Sequence, residues 1–280
     1  VLVRRMLALS VIGGLHATLL WYGDILFVYG VFGLALLWFA GGRADVLAVV
    51  GALGIAGTIA VIALLTLVAL AVPDAAAEWF EPDALDGAGA AAASAPWPEF
   101  LRAAVGLDPD LELAVVRDGS WARSAALRTI IFLQATLWSL LVYGARLAGL
   151  MLLGMAAVRH GAWLDPAGAG RRLHRGLLFV ALPLGLALEA LAATLGAGTP
   201  EPATGVAAEL VHQIGSLAMA AGLASLVACA GPRLPLSGPL AAVGRTALSC
   251  YLGQRVLMIT LFHGCGLFGS MSSTAVAGVV

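Results

Sequence analysis

The chain contains no lysine, and all of its 15 basic residues are arginine. Charged residues make up only 11% of the sequence and hydrophobic residues 61%, against about 25% and about 45 to 50% in ordinary soluble domains. So small a supply of charge excludes a soluble globular domain and identifies a membrane protein. The formal net charge is -1; the basic face or stripe of a nucleic-acid binder is missing, and no nucleic-acid partner is expected. Cysteine is also scarce. Cys229, Cys250 and Cys265 are odd in number, lack CxxC spacing and in two cases sit in apolar runs, which supports neither a disulfide framework nor a zinc site. A nucleophile elbow, a P-loop and an H-E-x-x-H pair are absent as well, so no metal is expected and the catalytic classes those motifs mark have no support.

What the chain has is apolar length. A transmembrane helix takes about 20 apolar residues, and on that basis complete spans are expected at 4–22, 24–41, 46–72, 129–158, 175–196, 207–230 and 239–263, with an incomplete eighth from 273. The expected fold is all-α: a polytopic transmembrane helical bundle with seven complete spans and one partial span, forming a single domain over 1–280. "RRMLALSVIGGLHATLL" has the basic start and short apolar core of a signal peptide, but no A-x-A pattern follows, so a span is expected there. The run begun by "TAVAGVV" stops after a few residues, and the chain is expected to be clipped at one or both ends. No internal repeat is visible.

Arginine in short loops sets orientation. With alternating spans, Arg4, Arg5, Arg43, Arg159, Arg171, Arg172, Arg175 and Arg233 all fall on one side, which is the cytoplasmic one. Segment 73–128 then becomes an extracytoplasmic loop. Its Ala-rich "DALDGAGAAAASAPWPEF" is expected to be mobile. The stretch after it is expected to form short helices on the outer membrane surface, and a separately folded ectodomain is not expected, because so short a piece buries little core.

The polar residues are informative because there are so few. "GLHATLLWYGDILFVYG" sets His16 and Asp24 within otherwise apolar sequence. At 1.5 Å per residue His16 lies about 16 Å into the first span, Asp24 at its outer boundary and Glu189 about 22 Å from the inner side. His212, Gln254 and Arg255 join them in the outer half. Competing structural readings stand beside each. Asp24 is placed to cap the following helix, His16 to bond a neighbouring helix, and Arg245 and Arg255 to snorkel to opposite surfaces. Arg146 reads as structural. Glu189, a lone carboxylate at depth, needs a partner, protonation or water. Eight residues separate His16 and Asp24 by about 12 Å along one helix, so no direct dyad is expected within it. In the last complete span Arg245 and Ser249, Cys250 and Gln254, and Tyr251 and Arg255 form three polar faces, which predicts a central helix.

"RRMLALSVIGGLHATLLWYGDILFVYGVFGLALLWF" at 4–39, "LAGLMLLGMAAVRHGAW" at 147–163 and "GPLAAVGRTALSCYLGQRVLMITLFHGCGLFG" at 238–269 resemble the YeiB family of bacterial membrane proteins, a domain of unknown function. The resemblance implies a polytopic bundle of the bacterial cytoplasmic membrane, similar in architecture to transmembrane acyltransferases that modify extracellular sugars and lipids. Its pattern carries over to His16, Asp24, Gly244, Arg245, Tyr251 and Gln254. Arg255 departs from it, since a small polar residue is expected after that glutamine. The family's earlier Arg-Gly spans and its full final span are absent here.

Three functions follow. In an acyltransferase-like enzyme His16, with Asp24, acts as general base on an acceptor hydroxyl, while Arg245, Tyr251, Gln254, Arg255, Glu189 and His212 bind substrate. No covalently bound cofactor is expected. The donor is acyl-CoA or an acyl lipid, the acceptor a sugar or lipid, and membrane lipids surround the protein. In a transporter or exporter of a small anionic or lipid-like solute, His16, Glu189 and Arg245 relay protons or bind the solute. In a membrane scaffold the same groups only fix helix packing. Clustering toward one leaflet, without repeats, favours the enzyme over alternating access.

Overall fold

The computed structural model describes residues 1–72, 91–106, 109–118, 120–161, 163–196, 202–231, 235 and 237–264. Among the described residues every regular element is helical, as expected. In chain order the helices are α1 (Leu2–Leu19), α2 (Leu26–Ala35), α3 (Ala44–Ala71), α4 (Trp97–Val105), α5 (Pro109–Asp118), α6 (Trp121–His160), α7 (Arg171–Gly176), α8 (Leu182–Gly196), α9 (Pro202–Ala230), α10 (Ser237–Arg245) and α11 (Ala247–Ile259).

Among the described residues five helical stretches are long and apolar enough to cross a membrane: Leu2–Leu19, Ala44–Ala71, Trp121–His160, Arg171–Gly196 and Thr204–Ala230. Buried residues make up less than a third of each stretch. The outward surfaces, with Leu53, Leu64 and Leu67 of α3 exposed, are therefore apolar, as lipid contact requires. The expected seven complete spans are not reproduced. The second is the shorter Leu26–Phe39, because the chain turns back until Asp24 and tightens to a 3₁₀ turn at Leu36–Phe39 before Gly41 and Gly42. The last breaks at Thr246, whose backbone (φ -104, ψ 12) leaves the helical path between α10 and α11. The eighth span, from 273, lies outside the described residues.

The chain divides into two compact units, Val1–Ala35 with Asp83–Trp138 and Ala241–Val280, and Leu36–Pro82 with Ser139–Leu240. In the first unit α1 packs on α2. A Cβ on Gly30 would meet the Met6 carbonyl at 2.8 Å, and one on Gly13 would meet Asp24 Oδ1 at 2.6 Å, so the hairpin closes only because both are glycine. Phe100, Ala104, Leu111, Val115 and Leu127 build a core between α4, α5 and the start of α6. This corrects the expectation of a mobile loop for the second half of "DALDGAGAAAASAPWPEF": Phe100 is fully buried. Arg123 fixes the approach to α4, donating to the Ala93 and Ala95 carbonyls at 2.7 Å each and stacking on Trp97 and Phe100. The first half of that stretch lies outside the described residues.

In the second unit α9 packs on both α3 and α8. Helix α3 meets the later part of α6 through small residues: a Cβ on Gly51 would sit 2.7 Å from the Gly149 carbonyl, and one on Gly54 would sit 2.6 Å from the Ala145 carbonyl. Such close approach is how helices gain contact in lipid, where the hydrophobic effect between them vanishes. Leu36, Leu47, Leu152 and Ala156 complete a core there. Between α7 and α8 the helix widens to a π turn at Leu177–Ala181, where the Leu182 N–H reaches back to the Leu177 carbonyl. Pro183 follows directly, and widening relieves the clash and the lost donor that proline brings to a helix.

Candidate functional site

Asp24 occupies the turn between α1 and α2. Its Oδ1 accepts the Phe27 backbone N–H at 2.9 Å, the bond an N-cap makes. Its Oδ2 lies 2.8 Å from Nδ1 of His16 and accepts the Tyr251 hydroxyl at 3.4 Å. The capping role and the ionisable role, set against each other by the sequence, thus fall to different oxygens of one carboxylate. The pair forms no dyad along one helix, as the spacing dictates; the contact comes from a reversal of the chain. The helix ends at Leu19, so the chain reverses and returns Asp24 to the level of His16.

Both residues are buried, His16 3% and Asp24 7% exposed. The imidazole Nδ1 and the carboxylate are close but meet off the hydrogen-bond line, and Nε2 of His16 is buried with no hydrogen-bond partner. Tyr251 lies against the imidazole, with ring centroids 5.1 Å apart. The Arg255 guanidinium sits 5.2 Å over the Trp21 ring and 5.9 Å from that of Tyr251, the stacking expected of a planar cation. Four of the eight expected residues, His16, Asp24, Tyr251 and Arg255, therefore form one cluster in the first unit.

Arg245 and Gln254 belong to the same unit but are exposed. No residue of α10 or α11 is buried, contrary to the expectation of a central helix, because the break at Thr246 divides the three polar faces between two short helices.

Two residues here escaped the sequence reading. Arg128 is buried, donates to the Leu19 carbonyl at 2.9 Å and stacks 5.2 Å from Trp121. It ties α6 to the end of α1, just before the turn that carries Asp24. Tyr22, in that turn, has its phenol raised above the ordinary value by burial first and by the charge and hydrogen bond of Glu112 second. An arginine inside "LRTIIFL" was the one signal available for Arg128.

Glu189 and His212 lie in the second unit, where Nδ1 of His212 is 2.9 Å from Oε2 of Glu189. The lone carboxylate thus has its partner. Alongside, Glu209 on α9 accepts from the Tyr143 hydroxyl at 3.0 Å and from the Gln213 amide. Arg146 donates to Ser216 Oγ at 2.8 Å and to the Gln213 carbonyl at 3.3 Å. Glu209 was not singled out from sequence. It lies one turn before Gln213 on α9 and only its place beside α6 gives it significance. Among the described residues no group of His, Cys, Asp and Glu side chains could hold a metal.

Residues 157–280 match the family described as "Protein of unknown function (DUF418)". The chain is also 34% identical over 130 residues to a protein of Escherichia coli (strain K12) described as "Uncharacterized protein YeiB". That match takes in 45% of this chain and 34% of the relative, so it spans about a third of the relative's length. No solved structure matches. Tyr251, Arg255, Glu189 and His212 fall inside the DUF418 region, while His16 and Asp24 lie before it.

Proposed function

We propose, from the likeness of residues 157–280 to the DUF418 family and of 130 residues to YeiB, that the chain is a multi-pass protein of a bacterial cytoplasmic membrane that transfers an acyl group to an extracytoplasmic hydroxyl. The observation that carries this reading is the buried His16, with Nδ1 2.8 Å from Asp24 Oδ2 and Nε2 unpartnered. A carboxylate beside one imidazole nitrogen stabilises the cation that forms when the open second nitrogen takes a proton, which suits the ring to act as a general base.

In the proposed step Nε2 takes the proton of an acceptor hydroxyl, on a sugar or lipid, as that oxygen bonds to the acyl carbonyl carbon. When the tetrahedral adduct collapses, the same nitrogen returns the proton to the departing group. Asp24 offsets the ring's transient positive charge. Arg255 supplies positive charge for the oxyanion. The acyl donor, an acyl-CoA or an acyl lipid, is a co-substrate, and Arg245 and Gln254 are the residues of the same segment left to contact it. The test is acyl transfer by purified protein in proteoliposomes. His16→Gln keeps size and hydrogen bonding but cannot carry the proton, so it should abolish transfer; wild-type rates in that variant would end the reading.

A second reading, transport of a small anionic or lipid-like solute, is favoured by the linked polar groups in the second unit: Glu189 with His212, and Tyr143 with Glu209, Gln213 and Arg146. Ionisable chains within spanning helices commonly mark such paths. Solute flux lost in Glu189→Gln but kept in His16→Gln would favour it over acyl transfer.

A further inference from the structure

The second unit also holds a cluster that neither reading uses. Where α7 begins and α9 ends, a cavity of about 670 Å³ is lined by Arg171, His174 and Arg175 together with apolar residues including Leu178 and Ala228, and among the described residues no acidic side chain lines it. Arg171 and Arg175 are exposed, as charged side chains at the end of a span would be. His174 is 1% exposed. Its Nδ1 shares a hydrogen bond with Ser225 Oγ at 3.0 Å, the Trp163 ring packs 5.1 Å away, and its Nε2 has no partner.

A buried ring nitrogen without a partner costs free energy unless something meets it. In the tautomer in which the Ser225 hydroxyl donates to Nδ1, the open Nε2 carries the hydrogen and is a donor beside two arginines. Asp165, the nearest acid in sequence, accepts the Gly168 and Ala169 N–H groups with its two oxygens at 2.9 and 3.0 Å and so is held within its own loop.

We propose that this cavity binds a phosphate group, with Arg171 and Arg175 supplying charge and His174 Nε2–H the buried donor. Guanidinium forks match phosphate geometry, and basic pockets at span ends receive lipid headgroups. The apolar wall of Leu178 and Ala228 suits the glycerol and chain roots of a phospholipid; a soluble phosphate compound is the other source of the same chemistry. This proposal stands independently of the roles given to His16 and Asp24.

The full chain is tested in two arms. In one, nanodiscs of phosphatidylcholine containing about one-fifth phosphatidylglycerol hold the protein, and native mass spectrometry counts the phosphatidylglycerol retained. In the other, equilibrium dialysis measures inorganic phosphate in detergent. Replacing both arginines (R171Q with R175Q) should lower retention about tenfold, the loss of roughly one charged hydrogen bond. R171K with R175K should keep most of it, since lysine also binds phosphate as a point charge. R172Q, changing an exposed arginine outside the lining, should match wild type and serves as the folding and net-charge control. Loss in the lipid arm alone identifies a headgroup, and loss in the phosphate arm alone a soluble ligand. Equal retention by wild type and R171Q/R175Q in both arms, or an equal loss in R172Q, overturns the proposal.

Discussion

Oδ2 of Asp24 lies 2.8 Å from Nδ1 of His16 although eight residues separate them in sequence, because the turn between α1 and α2 folds one back beside the other. Asp24 uses its remaining oxygen to cap α2 at Phe27. One side chain therefore caps the second helix of the hairpin and lies against the histidine, and the two roles can be separated by mutation.

Asparagine caps a helix about as well as aspartate, whereas alanine forfeits about 1 kcal/mol of capping. Asp24→Asn should therefore hold the thermal midpoint near wild type while losing the charge that faces His16, and Asp24→Ala should lose both. Midpoints in detergent and acyl transfer in proteoliposomes give the comparison. Full transfer in Asp24→Asn would reduce Asp24 to a cap.

Gly13 and Gly14 are neighbours with opposite tolerances. A Cβ at Gly13 would press on the Phe27 backbone and on Asp24 Oδ1 at 2.6 Å, whereas one at Gly14 meets only the Phe27 ring, at 3.7 Å. Gly13→Ala should cost about 1 to 3 kcal/mol as overpacking does and displace Asp24 from His16. Gly14→Ala should be nearly neutral. Thermal unfolding of the two variants side by side checks this.

The same logic applies in the second unit. Gly149 faces the Gly51 carbonyl, and Ile55 N would lie 3.2 Å from an added Cβ, while Gly154 has open space. Gly149→Leu should prevent accumulation of folded protein, and Gly154→Ala should leave it unchanged, measured by size-exclusion of the extracted protein.

The loop before α7 should lose order at acid pH. Backbone N–H bonds from Ala169 first, and then Gly168, hold the Asp165 carboxyl below its ordinary value. A carboxylate whose folded value is depressed stabilises the fold above its unfolded value, and that contribution is lost as pH falls through the folded one. Protection of the Gly168 and Ala169 amides, their exchange relative to the intrinsic rate at each pH, should hold down to the usual aspartate range, about pH 4, and fall below it. In Asp165→Ala that protection should be low at every pH.

Topology is open to direct labelling. Cysteines engineered at Ser94 and Ala167, both exposed, should react with a membrane-impermeant maleimide from opposite sides of the membrane, Ser94 from outside. Labelling of the Ala167 position from the external side alone would reverse the orientation read from arginine.

Composition alone called for helices long and apolar enough to cross a membrane, because apolar runs of that length leave the backbone no partner except itself, and among the described residues every regular element is helical. The long runs at 46–72, 175–196 and 207–230 could be bounded to within a few residues from hydropathy. The segments at 24–41 and 239–263 were also expected to span, yet they form shorter or broken helices, since a carboxylate cap and a threonine break act through local geometry that an apolar average does not record. Chemistry divided in the same way. The chain's scarcity of charge made His16, Asp24, Glu189 and His212 conspicuous, and each has a partner in the fold. Which carboxylate met which imidazole depended on a chain reversal in one case and on the packing of α8 against α9 in the other. Arg128, Glu209 and His174 look ordinary in sequence. They gain meaning from neighbours that are distant along the chain, and only burial, by removing water as the alternative partner, makes their contacts consequential.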